Sequence, residues 1–390
     1  MIIEIHGGQF NNKGALKMLI TCKNTLEIQY PNATFVVDKC VGTLEQINSL
    51  GLKTLCIKRG WMGSSRFRKG LFIQRMIAFI NEWCPPLFKN SITLNKVDAL
   101  VDVSGFAYTD QWGYRPSQDF AKLSSWYKCK GKKVIMLPQA FGTFQTSKIK
   151  AAISKIIDSC DLIYARDSTS YSHLIDINPT KEVIQQAPDL TLFANSTIED
   201  NQAGLNKNVA IIPNMRMLDQ GGIFWKSNYI KYLNLIVDLC FQKSLNPIFV
   251  IHDQSGEDSQ VAEMVLSKRT DIIDQIKTDD PWELKNILSE CYFVVGSRFH
   301  GLVAAISNGV PVIAIGWSHK YAELLSEFKM EKFLITAEKN GDLVSEDFNS
   351  ISDPAINMQL RNVIKSEYIN QYDKNQKMWN CVFNVLDLIN

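Results

Sequence analysis

Arg298 and His300, one residue apart and preceded by Ser297, interrupt an otherwise apolar stretch running from Tyr292 to Ile315. A guanidinium grips carboxylate or phosphate through parallel N–H bonds, and a charge-assisted bond of this kind contributes about 1.5–3 kcal/mol. An imidazole titrates near about pH 6.5, so it carries a transferable proton at working pH, the more so beside an anion. Lys320, with His319 before it, follows the next apolar run at the equivalent place. These are the parts of a site that binds a small anion and protonates it.

The elements that must position them read as strand (292–295), turn, helix (302–307), strand (312–315) and turn. Arg298 and His300 then stand between the carboxyl end of a strand and the amino end of a helix. Open α/β sheets take ligands there, and the free backbone N–H groups favour anions. The bland alternative is that Arg298 pairs with a carboxylate and His300 caps the helix; position in the crossover favours the ligand. Arg216 lies just beyond a strand at 209–213 and Arg166 just beyond one at 162–165, each either facing a cleft or held in a structural salt bridge. Asp102, Asp110 and Asp189 stand near strand ends as candidate bases or as cap and turn residues. His6 and His252 at strand ends and His173 on a helix are single histidines and stay outside the expected site.

Further apolar runs at 2–6, 34–38, 99–103, 133–137 and 247–251 alternate with helical patterns at 15–28, 147–160, 227–242, 259–268 and 282–288. This is the pattern of parallel sheets covered on both faces by helices. The chain therefore reads as α/β twice over: domains 1–198 and 199–390, divided in the polar stretch 195–208. The helical pattern of 354–390 either caps the second domain or crosses back to the first.

With 390 residues, 46% of them hydrophobic, the chain supplies core enough for two domains. A net charge of +2 argues against nucleic acid as a partner. Nine scattered cysteines without a C-x-x-C pair read as reduced thiols, and with no signal peptide and no 18-residue apolar run they point to the cytoplasm. No His, Cys and carboxylate cluster has metal-ligand spacing, and Gly7-Gly8 followed by Asn11-Asn12-Lys13-Gly14 is neither a P-loop nor a dinucleotide fingerprint. Neither a metal nor a nucleotide cofactor is expected.

The stretch from Tyr292 to Lys320 resembles the signature of the polysaccharide pyruvyltransferase family, in which an Arg-x-His pair follows a strand and a Gly-x-Pro turn and a Lys come after it. The resemblance continues in order through Asn12-Lys13-Gly14-Ala15, Val103-Ser104-Gly105-Phe106, Pro138-Gln139-Ala140-Phe141-Gly142, Tyr164-Ala165-Arg166-Asp167-Ser168 and Ala187-Pro188-Asp189. It departs at Ser104-Gly105-Phe106 and at Ala15, which replaces an acid; both bear on the acceptor more than on the reaction. The resemblance implies two Rossmann-like domains facing a central cleft, a GT-B-like architecture. It implies phosphoenolpyruvate as donor substrate, a sugar or polyprenyl-diphosphate-linked saccharide as acceptor, and a cyclic pyruvate ketal as product. Arg298 and His300 would be catalytic, with Arg216, Arg166, Lys320, Ser297, Gln139, Asn12, Gly14 and Gly105 contacting substrates. Two alternatives remain, a glycosyltransferase of the same architecture using a nucleotide sugar and a glycan-binding module without catalysis.

One segment lies outside this scheme. Between 58 and 89 stand seven basic residues, Lys58, Arg59, Arg66, Arg68, Lys69, Arg75 and Lys89, against the single acid Glu82. At about 100° per residue, Phe72, Ile73, Met76, Ile77, Phe79 and Ile80 form one arc. This amphipathic helix either packs on the first sheet or docks peripherally on an anionic membrane face.

Overall fold

A computed structural model describes residues 1–56, 91–179, 182–194, 206–253 and 256–389. The basic segment 58–89 and most of the stretch 195–208 lie outside the described residues. The fold is α/β with two parallel sheets. Contacts divide the chain into one unit of Met1–Phe10, Ala15–Leu190 and Lys374–Asn390, and a second of Asn11–Gly14 and Thr191–Asp373. The helix Pro354–Leu386 gives its first part to the second unit and its last part to the first.

The first unit is built on β1 (Ile2–His6), β2 (Thr34–Val37), β3 (Lys53–Leu55), β4 (Ser91–Ile92), β5 (Ala99–Asp102), β6 (Lys133–Gln139), β7 (Leu162–Ala165) and β8 (Ile184–Gln186). Their order is β4-β3-β2-β1-β5-β6-β7-β8, all parallel. A parallel sheet must be covered on both faces, and β6 shows how. Ile135 and Leu137 join a core with Leu19, Met378 and Trp379, while Val134 and Met136 join one with Phe120 and Ile153. The period of two along the strand thus feeds two helical layers. Within the second layer the helix Ser147–Ser159 buries Ile149, Ala152, Ile153, Ile156 and Ile157, an i, i+3, i+4 stripe, and opens on Thr146, whose side chain accepts from Ile149 N.

The second unit carries β9 (Asn208–Ile212), β10 (Asn246–Ile251), β11 (Gln275–Lys277), β12 (Phe293–Gly296), β13 (Val312–Ile315) and β14 (Leu334–Ile335). The order β11-β10-β9-β12-β13-β14 is 3-2-1-4-5-6 in chain sequence, the dinucleotide-fold order. β9, β12 and β13 are buried almost throughout, which their Val- and Ile-rich runs announce.

In each sheet the chain reverses its direction of travel once, between β1 and β5 and between β9 and β12. Adjacent crossovers leave to opposite sides at such points, and the crevice beyond the strands' carboxyl ends is where this topology binds ligands. No helix among the described residues is long and apolar enough to cross a membrane.

Candidate active site

At the β9/β12 reversal, β12 ends at Gly296 and the helix Phe299–Ile306 begins three residues later. Ser297 fixes the turn between them. Its carbonyl accepts from Asn214 Nδ2 at 2.7 Å and from the Tyr321 hydroxyl at 2.7 Å, and its Oγ lies 2.9 Å from the Tyr229 hydroxyl. Burial pushes the Tyr229 phenol well above its ordinary range, so it remains a donor. Ser297 is fully buried, and its bonds hold the turn.

Held by that turn, Arg298 stands at the N-cap position without capping the helix. Its guanidinium meets Asp258 in a fork, Nε to Oδ2 at 2.8 Å and Nη2 to Oδ1 at 2.6 Å. Asp258 is fully buried, lies in the first turn of the helix Glu257–Leu266 and also accepts from Met215 N at 3.0 Å. Burial raises the Asp258 carboxyl above the usual carboxylate range, against the opposing pull of Arg298. Burial also draws on Arg298, but the Asp258 hydrogen bonds and charge outweigh it and lift the guanidinium further, keeping it charged. The fork uses the Nε edge and leaves the Nη1 edge outside the Asp258 pairing, on a side chain 21% exposed.

Arg216 opens a short helix after β9 and binds Asp219 and Glu257, so the two arginines stand against consecutive carboxylates, Glu257 and Asp258. His300 is in the first helical turn, its ring edge-on to Phe299 with centroids 5.4 Å apart. A Cβ on Gly14 would overlap the His300 imidazole, which makes glycine a steric requirement there. Asn12 Oδ1 accepts from Gly14 N at 3.0 Å and shapes the same turn. Lys320, in the first turn of the helix His319–Glu327, holds its ammonium 5.2 Å from the Tyr321 ring and 5.7 Å from that of Phe299. Arg298, His300, Lys320, Arg216, Ser297, Asn12 and Gly14 thus all belong to this unit.

Sequence reasoning singled out neither Asp258 nor Lys13. Lys13 is 1% exposed and donates to the Ile251 carbonyl at 3.2 Å. Burial lowers its pKa while Asp279 and Asp253 oppose the change. Lys13 lies within the Asn12-Lys13-Gly14 block, a signal that was there to use; Asp258 sits in an ordinary polar segment and gives none.

The remaining candidates lie in the first unit. Arg166 Nη1 meets Asp189 Oδ2 at 2.9 Å with both side chains almost wholly buried, the salt-bridge alternative. Asp110 accepts from Gln145 N at 2.6 Å, a turn role. His173 Nδ1 lies 2.9 Å from the Phe141 carbonyl oxygen. Gln139 donates to Asp102 Oδ2 at 2.5 Å, and Gly105, at φ +72°, accepts from Ala140 N at 2.9 Å.

With this geometry in place, comparison with known proteins identifies the family. Residues 12–319 match the model described as polysaccharide pyruvyl transferase. The chain belongs to this family. As a pyruvyltransferase-family member it is similar to the amylovoran biosynthesis protein AmsJ of Erwinia amylovora, 20% identical over 299 residues, 71% of each chain. Among solved structures it is similar to Staphylococcus aureus MnaA with UDP (14% identity, 99% and 97% of the two chains, TM-score 0.61). It is also similar to Anabaena Alr3699/HepE with UDP-glucose (11% identity, 98% and 99%, TM-score 0.59). At such identities the likeness shows the fold alone, two Rossmann-like domains of the GT-B kind.

Proposed function

We propose that this pyruvyltransferase-family protein transfers the pyruvyl group of phosphoenolpyruvate to a pair of sugar hydroxyls in the building of a surface polysaccharide. The observation that carries the reading is the Arg298 fork on Asp258, which presents a second guanidinium edge at the switch point of a dinucleotide-type sheet, with His300 two residues on. The donor carries a carboxylate and a phosphate on one three-carbon unit; a guanidinium edge fits either bidentately, and Lys320 supplies a second charge.

The chemistry balances without a redox partner. C3 takes a proton from His300 and becomes a methyl group while the first acceptor hydroxyl bonds to C2, and the proton that this hydroxyl loses passes through solvent to restore His300. The C2–O bond to phosphate then breaks, the second hydroxyl bonds to C2, and its proton departs with the phosphate. Phosphoenolpyruvate and a diol become a ketal and inorganic phosphate. Cations at the donor offset the charge that gathers on the leaving phosphate, where preorganised groups contribute most. The same reading gives the donor to the second unit and the acceptor to the first.

A thermal shift separates this from nucleotide-sugar chemistry. A ligand at a hundred times its Kd stabilises the folded state by about 2.7 kcal/mol. Phosphoenolpyruvate should raise Tm and UDP-glucose should leave it unmoved. A shift with UDP-glucose and none with phosphoenolpyruvate would overturn the proposal in favour of glycosyl transfer.

A further inference from the structure

Lys13 opens the helix Lys13–Gln29 and belongs, with Asn11, Asn12 and Gly14, to the second unit. Its side chain is buried, and an ammonium carries three N–H donors. One of them meets the Ile251 carbonyl oxygen at 3.2 Å; among the described residues no carboxylate pairs with it. An ammonium held out of water without a counter-ion is costly, and buried charges are as a rule paired.

The carboxylates whose charge reaches Lys13 are Asp279, Asp253 and Asp258, and each is engaged or faces water. Asp258 grips Arg298 in the fork. Asp253 accepts from Glu257 N at 3.0 Å and from Asp258 N at 3.1 Å, and so holds the amino end of the helix Glu257–Leu266. Asp279 is exposed, and Lys277 opposes the three with a like charge. The unit thus attracts the ammonium from a distance and gives it no contact ion.

Its place in the fold says what the contact ion is. Ile251 ends β10, so the ammonium stands at the carboxyl end of the strand beside β9, where this sheet order takes ligands. Gly14, the next residue, lies against the His300 imidazole, and Asp258, which acts on Lys13, holds Arg298. Lys13, His300 and Arg298 therefore share one crevice of one unit.

We propose that Lys13 binds the phosphate of the donor, which supplies the counter-ion that the protein does not. The inference rests on the pyruvyl-transfer reading. An ammonium is a compact point charge whose donors suit phosphate oxygens, whereas the flat guanidinium of Arg298 matches a carboxylate in two parallel bonds. The donor is then held at both ends, by Lys13 at the phosphate and by Arg298 at the carboxylate.

Lys13→Met keeps the length of the side chain and removes its charge. Thermal unfolding of the full chain, wild type and variant, across a series of phosphoenolpyruvate concentrations reads stability and binding together. The variant should melt at or above the wild-type Tm, because an unneutralised buried charge is gone, while its Kd for phosphoenolpyruvate rises by about tenfold or more. A Kd within about twofold of the wild type would overturn the inference. Should the variant lose both stability and binding, NMR of isotope-labelled lysine ammonium groups decides. The Lys13 signal, assigned by its loss in Lys13→Met, should shift when phosphoenolpyruvate saturates the wild type; a signal that stays in place overturns the assignment. A wild type that takes UDP-glucose and not phosphoenolpyruvate would sink the pyruvyl-transfer reading alone, provided that the Lys13 signal answers to the diphosphate. A signal unmoved by phosphoenolpyruvate, UDP-glucose and inorganic phosphate alike would overturn the inference whatever the reaction.

Discussion

The two switch edges share a topology and differ in charge. At β9/β12 the ionisable side chains are Arg298, Lys320, Arg216 and His300, and the carboxylates there hold the guanidiniums. At β1/β5 the centre is a buried carboxylate ringed by hydroxyl and amide donors, with one imidazole before it. The two sheets thus carry side chains of opposite charge at their reversal points, and function resides in the sites, not in the scaffold they share.

The sharpest way to break this comparison is at His300. His300→Ala should lower transfer by about a thousandfold, within the range of general acid catalysis, while Tm and the phosphoenolpyruvate-induced shift persist. Retained turnover would remove the acid from the second edge. A smaller effect follows from Gly14→Ala. The added methyl overlaps the His300 ring, so the ring must shift; this offsets the gain of about 1 kcal/mol that alanine has over glycine in a helix, and transfer should fall about tenfold to a hundredfold. Unchanged kinetics would mean that the ring is not used where it stands.

The last of the series concerns stability. Arg166→Met leaves Asp189 buried without its cation and should cost about 3–5 kcal/mol by denaturant unfolding. Adding Asp189→Leu should restore most of it, as expected for a pair with a structural role. If Arg166→Met instead spares stability and abolishes donor binding, Arg166 belongs with the substrate cations.

Much of this was legible in the sequence. The Val- and Ile-rich runs of β9, β12 and β13 and the stripe of Ser147–Ser159 announce their elements because burial on both faces or on one arc leaves a period to read. Edge strands such as β4, β11 and β14 span two or three residues and bury little, so they leave none. Glu4 sits inside a core strand where the Tyr127 hydroxyl meets it at 2.6 Å, a partner 123 residues away. The same limit governs the sites. Arg298 and His300 are legible as neighbours in the chain, whereas Asp258 beside Arg298 and Asp102 beside His6 are joined only by sheet register and packing. Arg166 and Asp189 each stand out singly, and only the fold shows that they neutralise one another.

The central claim, an anion-binding edge on the second sheet that takes phosphoenolpyruvate through Arg298, is tested most directly by calorimetric titration of that donor into the wild-type protein and Arg298→Lys. Lysine keeps the charge but lacks the fork that grips Asp258 and the ligand together. Saturable binding by the wild type, weakened at least tenfold in Arg298→Lys while Tm stays within a few degrees, is the predicted result. Equal affinity in the two proteins would contradict it.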